Sequence, residues 1–285
     1  MTGATGWFGR VTLDLLGQSM GRAAFRERVA GYASRTRSVE VAGVGQVELR
    51  PLTDLEPAEV LLHFAFLTRP HVLPDDHDSF VAANVAITSR VLAAIATGGV
   101  RRVFVTSSGA ARAPHMVTNP YGALKRLDEL AFAEACREAR AACVVARVFN
   151  VGGAHMSRPE AYALGDLILR ARAGQPLAIA SRGEVVRSYV TVGDVVAVAL
   201  GELVAGRDAF FDAAGARAVE IEELAALVLR VVGRPELPIV RERDPGAPAN
   251  VYVGDGRRLR ELAREHDVTL QDLEAVVAAT AAGLP

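Results

Sequence analysis

Apolar and polar positions follow two alternating periods through the first half of this chain. Phe8 to Leu16 places Val11, Leu15 and Leu16 on one side of a helix. Arg28 to Ser34 reads as a short strand, and Glu59 to Phe66 is an apolar run of buried-strand length. Asn84 to Thr97 has helical spacing through Val85, Val91, Leu92 and Ile95. Arg102 to Thr106 reads as a buried strand, Leu124 to Glu138 as a helix, and Ala142 to Val148 as another buried strand. Strands that are continuously apolar and alternate with helices predict a parallel sheet covered on both faces. The expected fold is α/β, a doubly wound parallel sheet.

Beyond Val151 the pattern loosens. Gly, Pro and Arg are frequent between Gly152 and Arg187, and Arg187 to Leu203 restores a strand followed by a helix. Glu220 to Val232 is amphipathic, Arg241 to Asn250 is loop-like, and a last helix spans about Leu270 to Ala281. No internal repeat or low-complexity linker interrupts the chain. The organisation expected is a first domain over residues 1–150, with 187–203 returning to it, and a small C-terminal lobe over 151–285.

Composition narrows the function classes. The 285 residues are 51% hydrophobic and 23% charged, enough to bury a large core. A net charge of −1 gives no basic excess for nucleic acid. The apolar runs are broken short of the ~20 residues a membrane span needs, and the N-terminus does not read as a signal peptide. Cys136 and Cys143 read as reduced thiols, so a cytoplasmic protein is expected. No metal site is expected. Of the 32 Lys and Arg residues only Lys125 is a lysine. That position asks for a compact, tunable ammonium rather than a guanidinium.

Three motifs carry chemistry. In Thr2-Gly3-Ala4-Thr5-Gly6-Trp7-Phe8-Gly9, the glycines allow a tight turn, close approach to a pyrophosphate and the start of a helix facing it. Such a loop should follow a strand, yet the sequence begins one residue before Thr2. The expectation is that the central strand's two neighbours are left unpaired, and that a few apolar residues stand upstream or the start is misassigned. Tyr121 and Lys125 are four residues apart, on one face of a helix. An ammonium beside a phenol favours the phenolate, which can take a hydroxyl proton while hydride leaves the carbon. Were Arg and Lys interchangeable, finding the one lysine there would be a coincidence of roughly one in thirty. Ser107 and Ser108 end a buried strand 13 residues before Tyr121, where open α/β sheets bind ligands. One of the two is expected to satisfy loop backbone instead.

Together and in this order, these motifs resemble the short-chain dehydrogenase/reductase superfamily, and in particular its extended branch of nucleotide-sugar epimerases, dehydratases and reductases. The likeness continues through Leu62-His63-Phe64-Ala65, through Asn84 at the next helix, through Arg147-Val-Phe-Asn150-Val-Gly152, through Arg187-Ser-Tyr-Val-Thr-Val-Gly-Asp194 and, more loosely, through Arg241-Glu-Arg-Asp244. It implies a dinucleotide-binding Rossmann domain and a substrate-binding lobe. It implies Ser108, Tyr121 and Lys125 as catalytic residues. Gly3, Gly6, Trp7, Phe8, Gly9, Ser34, Arg35, Arg37, Phe64, Ala65, Phe66 and Asn84, with Tyr121 and Lys125, would bind the dinucleotide. Ser108, Asn150, Arg187 and Arg241 would bind a nucleotide-activated sugar. It also implies a homodimer through the helices at about 84–97 and 124–138.

Two departures refine this. The acid that NAD-preferring enzymes place on the adenosine ribose is missing, and Arg35 and Arg37 stand nearby, so NAD(P) is expected with a lean toward NADP. Gly109 and Ala110 follow Ser108 where the branch's dehydratases carry an Asp–Glu pair, which disfavours loss of water. Epimerase and ketoreductase both remain open. A non-catalytic dinucleotide-binding regulator on the same fold is the alternative, and the intact Ser108, Tyr121 and Lys125 argue against it.

Overall fold

The structure is a computed structural model and describes residues 1–68 and 77–284. It divides into two compact units, Met1–Arg147 with Val196–Phe211, and Val148–Val195 with Asp212–Pro285. In chain order the elements are α1 (Trp7–Arg28), β1 (Tyr32–Ala33), β2 (Arg37–Val41), β3 (Gly45–Pro51) and β4 (Val60–His63). Next come α2 (His77–Ala96), β5 (Arg102–Ser108), α3 (Pro120–Ala139), β6 (Ala142–Val148) and β7 (Asn150–Gly152). Then follow α4 (Ala163–Arg172), β8 (Leu177–Ala178), β9 (Val185–Thr191), α5 (Val192–Ala205) and β10 (Ala209–Ala213). The chain ends with β11 (Ala218–Glu220), α6 (Ile221–Val232), β12 (Ile239–Val240), β13 (Asn250–Tyr252), α7 (Arg257–Glu265) and α8 (Leu273–Gly283).

The first unit holds the doubly wound α/β sheet that the hydrophobic pattern predicts. Its strands run β10-β6-β5-β4 on one side and β1-β3-β2 on the other. Strand β4 pairs with β5 in parallel, Leu61 opposite Val103 and His63 opposite Val105. Between the two halves lies one residue, Thr2, bridged in parallel to both Tyr32 and His63. Its N–H donates to Leu62 O at 2.9 Å, and Phe64 N–H donates to Thr2 O at 3.3 Å. On the other flank Tyr32 N–H donates to Met1 O at 2.8 Å and Ala4 N–H to Tyr32 O at 3.0 Å. The neighbours expected to be unpaired are therefore joined at their C-terminal ends. Toward their N-terminal ends, Arg28 to Ala30 and Glu59 to Leu61 flank a cavity of about 470 Å³, which Leu16, Met20, Leu55, Leu200 and Leu203 also line.

Two layers cover the sheet. Phe132 and Cys136 of α3, with Val91 and Ile95 of α2, pack on Leu61, Val103, Val105 and Val145. Leu13 and Phe25 of α1 pack with Ala33, Val41 and Leu49. Several boundaries differ from the pattern. The first helix runs on to Arg28 through a break at Gly21, whose φ of 73° glycine adopts without strain. That leaves only Tyr32–Ala33 of the strand expected at Arg28–Ser34. Strand β2 is antiparallel to β3, so the sheet carries one antiparallel edge. Helix α2 is long and apolar enough by composition to cross a membrane, contrary to the reading that no run is; its buried Val91 and Ile95 face the core.

The second unit centres on β9. Strands β7 and β13 pair with it in parallel and β11 antiparallel, while β8 and β12 form a separate parallel pair. Gly152, the last residue of β7, leaves no room for a side chain, because a Cβ there would lie 2.5 Å from Thr280 Oγ1 of α8.

Candidate active site

The glycine loop is a close approach of backbone to backbone. Gly3 has a φ of 67°, and a Cβ on it would lie 2.5 Å from Ala65 N. A Cβ on Gly9 would lie 2.3 Å from Gly3 O, and Gly6 N–H donates to that same oxygen at 2.9 Å. Any side chain at positions 3 or 9 would therefore force the turn open. Helix α1 begins directly after Gly6 with no side-chain cap and no acid in its first turn. Its leading N–H groups and positive dipole end suit an anion such as a pyrophosphate. Trp7 is buried, while the Phe8 ring lies 5.8 Å from Phe64. Ser34, Arg35 and Arg37 are exposed just past β1, and neither arginine has an ion pair among the described residues.

The segment leaving β4 links this loop to α3. Thr2 Oγ1 lies 2.7 Å from His63 Nδ1. Burial, then the charge of Lys125, pulls the His63 pKa down to about 3, so the imidazole is neutral. Asn84 is fully buried; its Oδ1 accepts from Leu67 N–H at 2.8 Å and its amide donates to Phe80 O at 3.1 Å. It pins the chain that follows Phe66. The Phe66 ring meets Tyr121 edge-on at 5.6 Å and carries Lys125 Nζ over its face at 3.7 Å.

Helix α3 is started by side chains that fix Tyr121 in place. Asn119 caps it by accepting from Gly122 N–H at 3.1 Å, and Pro120 occupies the first turn. The same Asn119 amide donates to Ala110 O at 3.0 Å and Ala113 O at 2.9 Å, tying the helix to the turn after β5. A Cβ at position 122 would lie 2.3 Å from Ala110 O, which explains glycine beside the tyrosine. One turn on, Lys125 is 4% exposed and donates to Thr106 O at 2.9 Å. The two serines that end β5 divide their work. Ser107 donates to Glu129 at 2.6 Å, whereas Ser108 Oγ accepts from Ala110 N–H at 3.2 Å.

Sequence reading passed over the ionic layer beneath this face. Glu129 is 4% exposed and takes Arg147 in a two-pronged pair at 2.8 and 2.7 Å, with Arg126 at 2.8 Å. Burial pushes its carboxyl pKa up, but hydrogen bonds from Arg147, Ser107 and Arg126 hold it below the ordinary carboxylate range. Asp128, equally buried, accepts from Thr88 at 2.8 Å and lies 3.8 Å from Lys125 Nζ. The available signal was two acids, three and four residues after the lone lysine, on a helix that must bury a face.

The remaining candidates lie in the second unit. Asn150 donates to Ser188 O and Tyr252 O at 3.3 Å each. Arg187 donates to Val186 O at 2.9 Å and Asn250 O at 2.7 Å. Arg241 has a side chain 2% exposed and is held by Glu220 at 2.7 Å, Glu222 at 3.4 Å and Ser181 O at 2.9 Å. To grip a phosphate it would have to leave buried ion pairs.

A model of the NAD dependent epimerase/dehydratase family matches residues 1–207. A dTDP-4-dehydro-6-deoxy-D-allose reductase of Streptomyces bikiniensis is 39% identical over 104 residues, 36% of this chain. That match spans 29% of the length of the relative. The structure of a UDP-N-acetylglucosamine 4-epimerase from Methanobrevibacter ruminantium superposes with a TM-score of 0.79 at 16% identity, covering 99% of this chain and 96% of that one. A UDP-glucose 4-epimerase from Brucella ovis in complex with NAD gives 0.75 at 19% identity, covering 100% and 98%. A UDP-glucose 4-epimerase from Thermotoga maritima with UDP-glucose gives 0.73 at 20%, covering 99% and 96%. These structures share the fold of this chain.

Proposed function

The chain belongs to the NAD dependent epimerase/dehydratase family, and on that premise we propose that it is an NAD(P)-dependent enzyme acting on a nucleotide-activated sugar. The reaction is reversible hydride transfer at a sugar carbon, of the 4-epimerase or 4-ketoreductase type. One observation carries this reading. Tyr121 and Lys125 share a helix face and pack on Phe66, two residues past Phe64, which crowds the glycine turn.

The first unit holds the dinucleotide and the second the substrate. Gly3, Gly6 and Gly9 seat the pyrophosphate, and the lack of room for a Cβ at positions 3 and 9 fits a backbone cradle. Arg35 and Arg37, exposed and without an acid between them, suit a 2′-phosphate and favour NADP. The bound nicotinamide supplies the hydride donor or acceptor. Ser108 orients the reacting oxygen. Tyr121 takes the hydroxyl proton as hydride leaves the sugar carbon, and returns it in the reverse direction. The Lys125 ammonium, one turn along, favours the phenolate form. Asn150 and Arg187 contact the sugar nucleotide; Arg241, held by Glu220 and Glu222, is left to structure.

The active form is a homodimer. Val85 of α2 and Leu127 and Leu130 of α3 are 47%, 55% and 55% exposed, an apolar face on the helices the sequence marks for pairing. Two buried free thiols, Cys136 and Cys143, fit a cytoplasmic protein.

The test is a panel of nucleotide sugars incubated with purified protein and either dinucleotide, with products followed by mass and NMR. Consumption of NADPH marks a ketoreductase. Inversion at one carbon without net consumption marks an epimerase. No turnover of any nucleotide sugar, by protein that binds dinucleotide, would overturn the reading.

A further inference from the structure

Lys125 is the chain's one lysine, and it is buried. Its ammonium sits over the Phe66 ring and makes one hydrogen bond, to Thr106 O, among the described residues. Three ionisable side chains besides Tyr121 face it. His63 on β4 is neutral and adds no negative charge. Glu129, next along α3 from Asp128, is already held by Arg126 and Arg147, so that trio carries a net positive charge. Asp128 is the exception. Its Oδ1 is anchored across to α2 by Thr88 at 2.8 Å, and its Oδ2 is buried, has no hydrogen-bond donor, and lies 3.8 Å from Lys125 Nζ.

We propose that Asp128 is a positioning residue whose free oxygen keeps the Lys125 ammonium charged and aimed along the face it shares with Tyr121. The argument is one of charge balance. A buried ammonium loses its proton unless an opposite charge stays near it. The arginines already engage Glu129, so removing Asp128 takes away the larger of the two negative charges that support the Lys125 ammonium. Burial already pulls the Lys125 pKa from 10.5 down to about 8, and Asp128 is the first of the charges opposing that fall. Anchoring by Thr88 sets where the carboxylate stands, and hence where the ammonium points.

The inference rests on the proposed role of Lys125, but its test does not need turnover. Selective ¹³C labelling of lysine gives a single ε-carbon resonance, because there is a single lysine. Titrating it reads the Lys125 pKa directly. The expected midpoint is about 8 in the wild type. Asp128→Asn should lower it by a pH unit or more, a tenfold change in acidity, and Asp128→Glu should restore most of the loss. Should Asp128→Asn fail to fold, the smaller Asp128→Ser carries the same test. In an active enzyme, the alkaline limb of the pH–rate profile should move to lower pH by the same amount. A folded neutral variant whose lysine midpoint matches the wild type would overturn the proposal. Failure to find a substrate would count against the proposed reaction and leave this titration standing.

Discussion

The two flanks of Thr2 are built to different standards. On the β4–β5–β6 flank, β4 pairs with β5 along its whole length, apolar side chains of α2 and α3 pack on the strands, and Asp128 and Glu129 each lie within 4 Å of a cation. On the β1–β3–β2 flank, the link to the rest of the sheet is a few hydrogen bonds around Met1 to Ala4, and beyond them lies the cavity of about 470 Å³. The candidate chemistry stands at the C-terminal ends of the strands, where both flanks are joined. The cavity lies at the opposite ends, where pairing runs out. The candidate site thus stands where the backbone pairing is complete, away from the cavity.

If that contrast is right, the closed flank should be the more brittle. Glu129→Ala leaves Arg147 and Arg126 without their shared carboxylate and opens a void beside Ser107. Removing one member of a buried ion pair costs about 3–5 kcal/mol, so the variant should unfold at markedly lower urea, as followed by circular dichroism. A loss under 1 kcal/mol would show that the network is not structural. Gly9→Ala comes next. Its Cβ would lie 2.3 Å from Gly3 O, and overpacking of this kind costs about 1–3 kcal/mol. Calorimetry should show dinucleotide affinity falling with it, and unchanged affinity would remove the loop from the site.

The open flank should instead gain from filling. Continuing the register of Thr2 backward sets new residues beside Ala30 and Leu61, then beside Val29 and Val60. Appending two or three β-branched residues ahead of Met1 buries about 1.5–3 kcal/mol of side chain each. Ordering their backbone costs about 1–2 kcal/mol each. A net gain on the order of 1–2 kcal/mol is expected, read as a higher urea midpoint; no gain would mean that the cavity does not accept a strand.

What could be read in the sequence follows the same division. Glu59 to Phe66, Arg102 to Thr106, Leu124 to Glu138 and Ala142 to Val148 were legible because buried strands and the helix on them need continuous or periodic apolar residues. The β2–β3 hairpin was not, since an edge hairpin such as Arg37-Ser-Val-Glu-Val has mostly exposed side chains. Helix α4 hid among glycines and prolines, and α7, Arg257-Arg-Leu-Arg-Glu-Leu-Ala-Arg-Glu, is mostly charge with a narrow buried stripe at Leu259, Leu262 and Ala263. At the candidate site, Tyr121 and Lys125 could be named from spacing, and Ser108 only through the family resemblance. That Ser107 rather than Ser108 serves Glu129, and that Asn84 and Arg241 hold the protein's own groups, depends on contacts between segments far apart in the chain.

The central claim is that Tyr121 moves the proton while the glycine loop holds the dinucleotide, two tasks assigned to separate parts of one unit. Single-turnover mixing with reduced and oxidised dinucleotide and a reactive nucleotide sugar, followed by nicotinamide absorbance, tests it in wild type and Tyr121→Phe. The expected result is hydride transfer in the wild type, a loss of about 10²–10⁴-fold in the variant, and equal dinucleotide affinity in both. Transfer at the wild-type rate by Tyr121→Phe would contradict it.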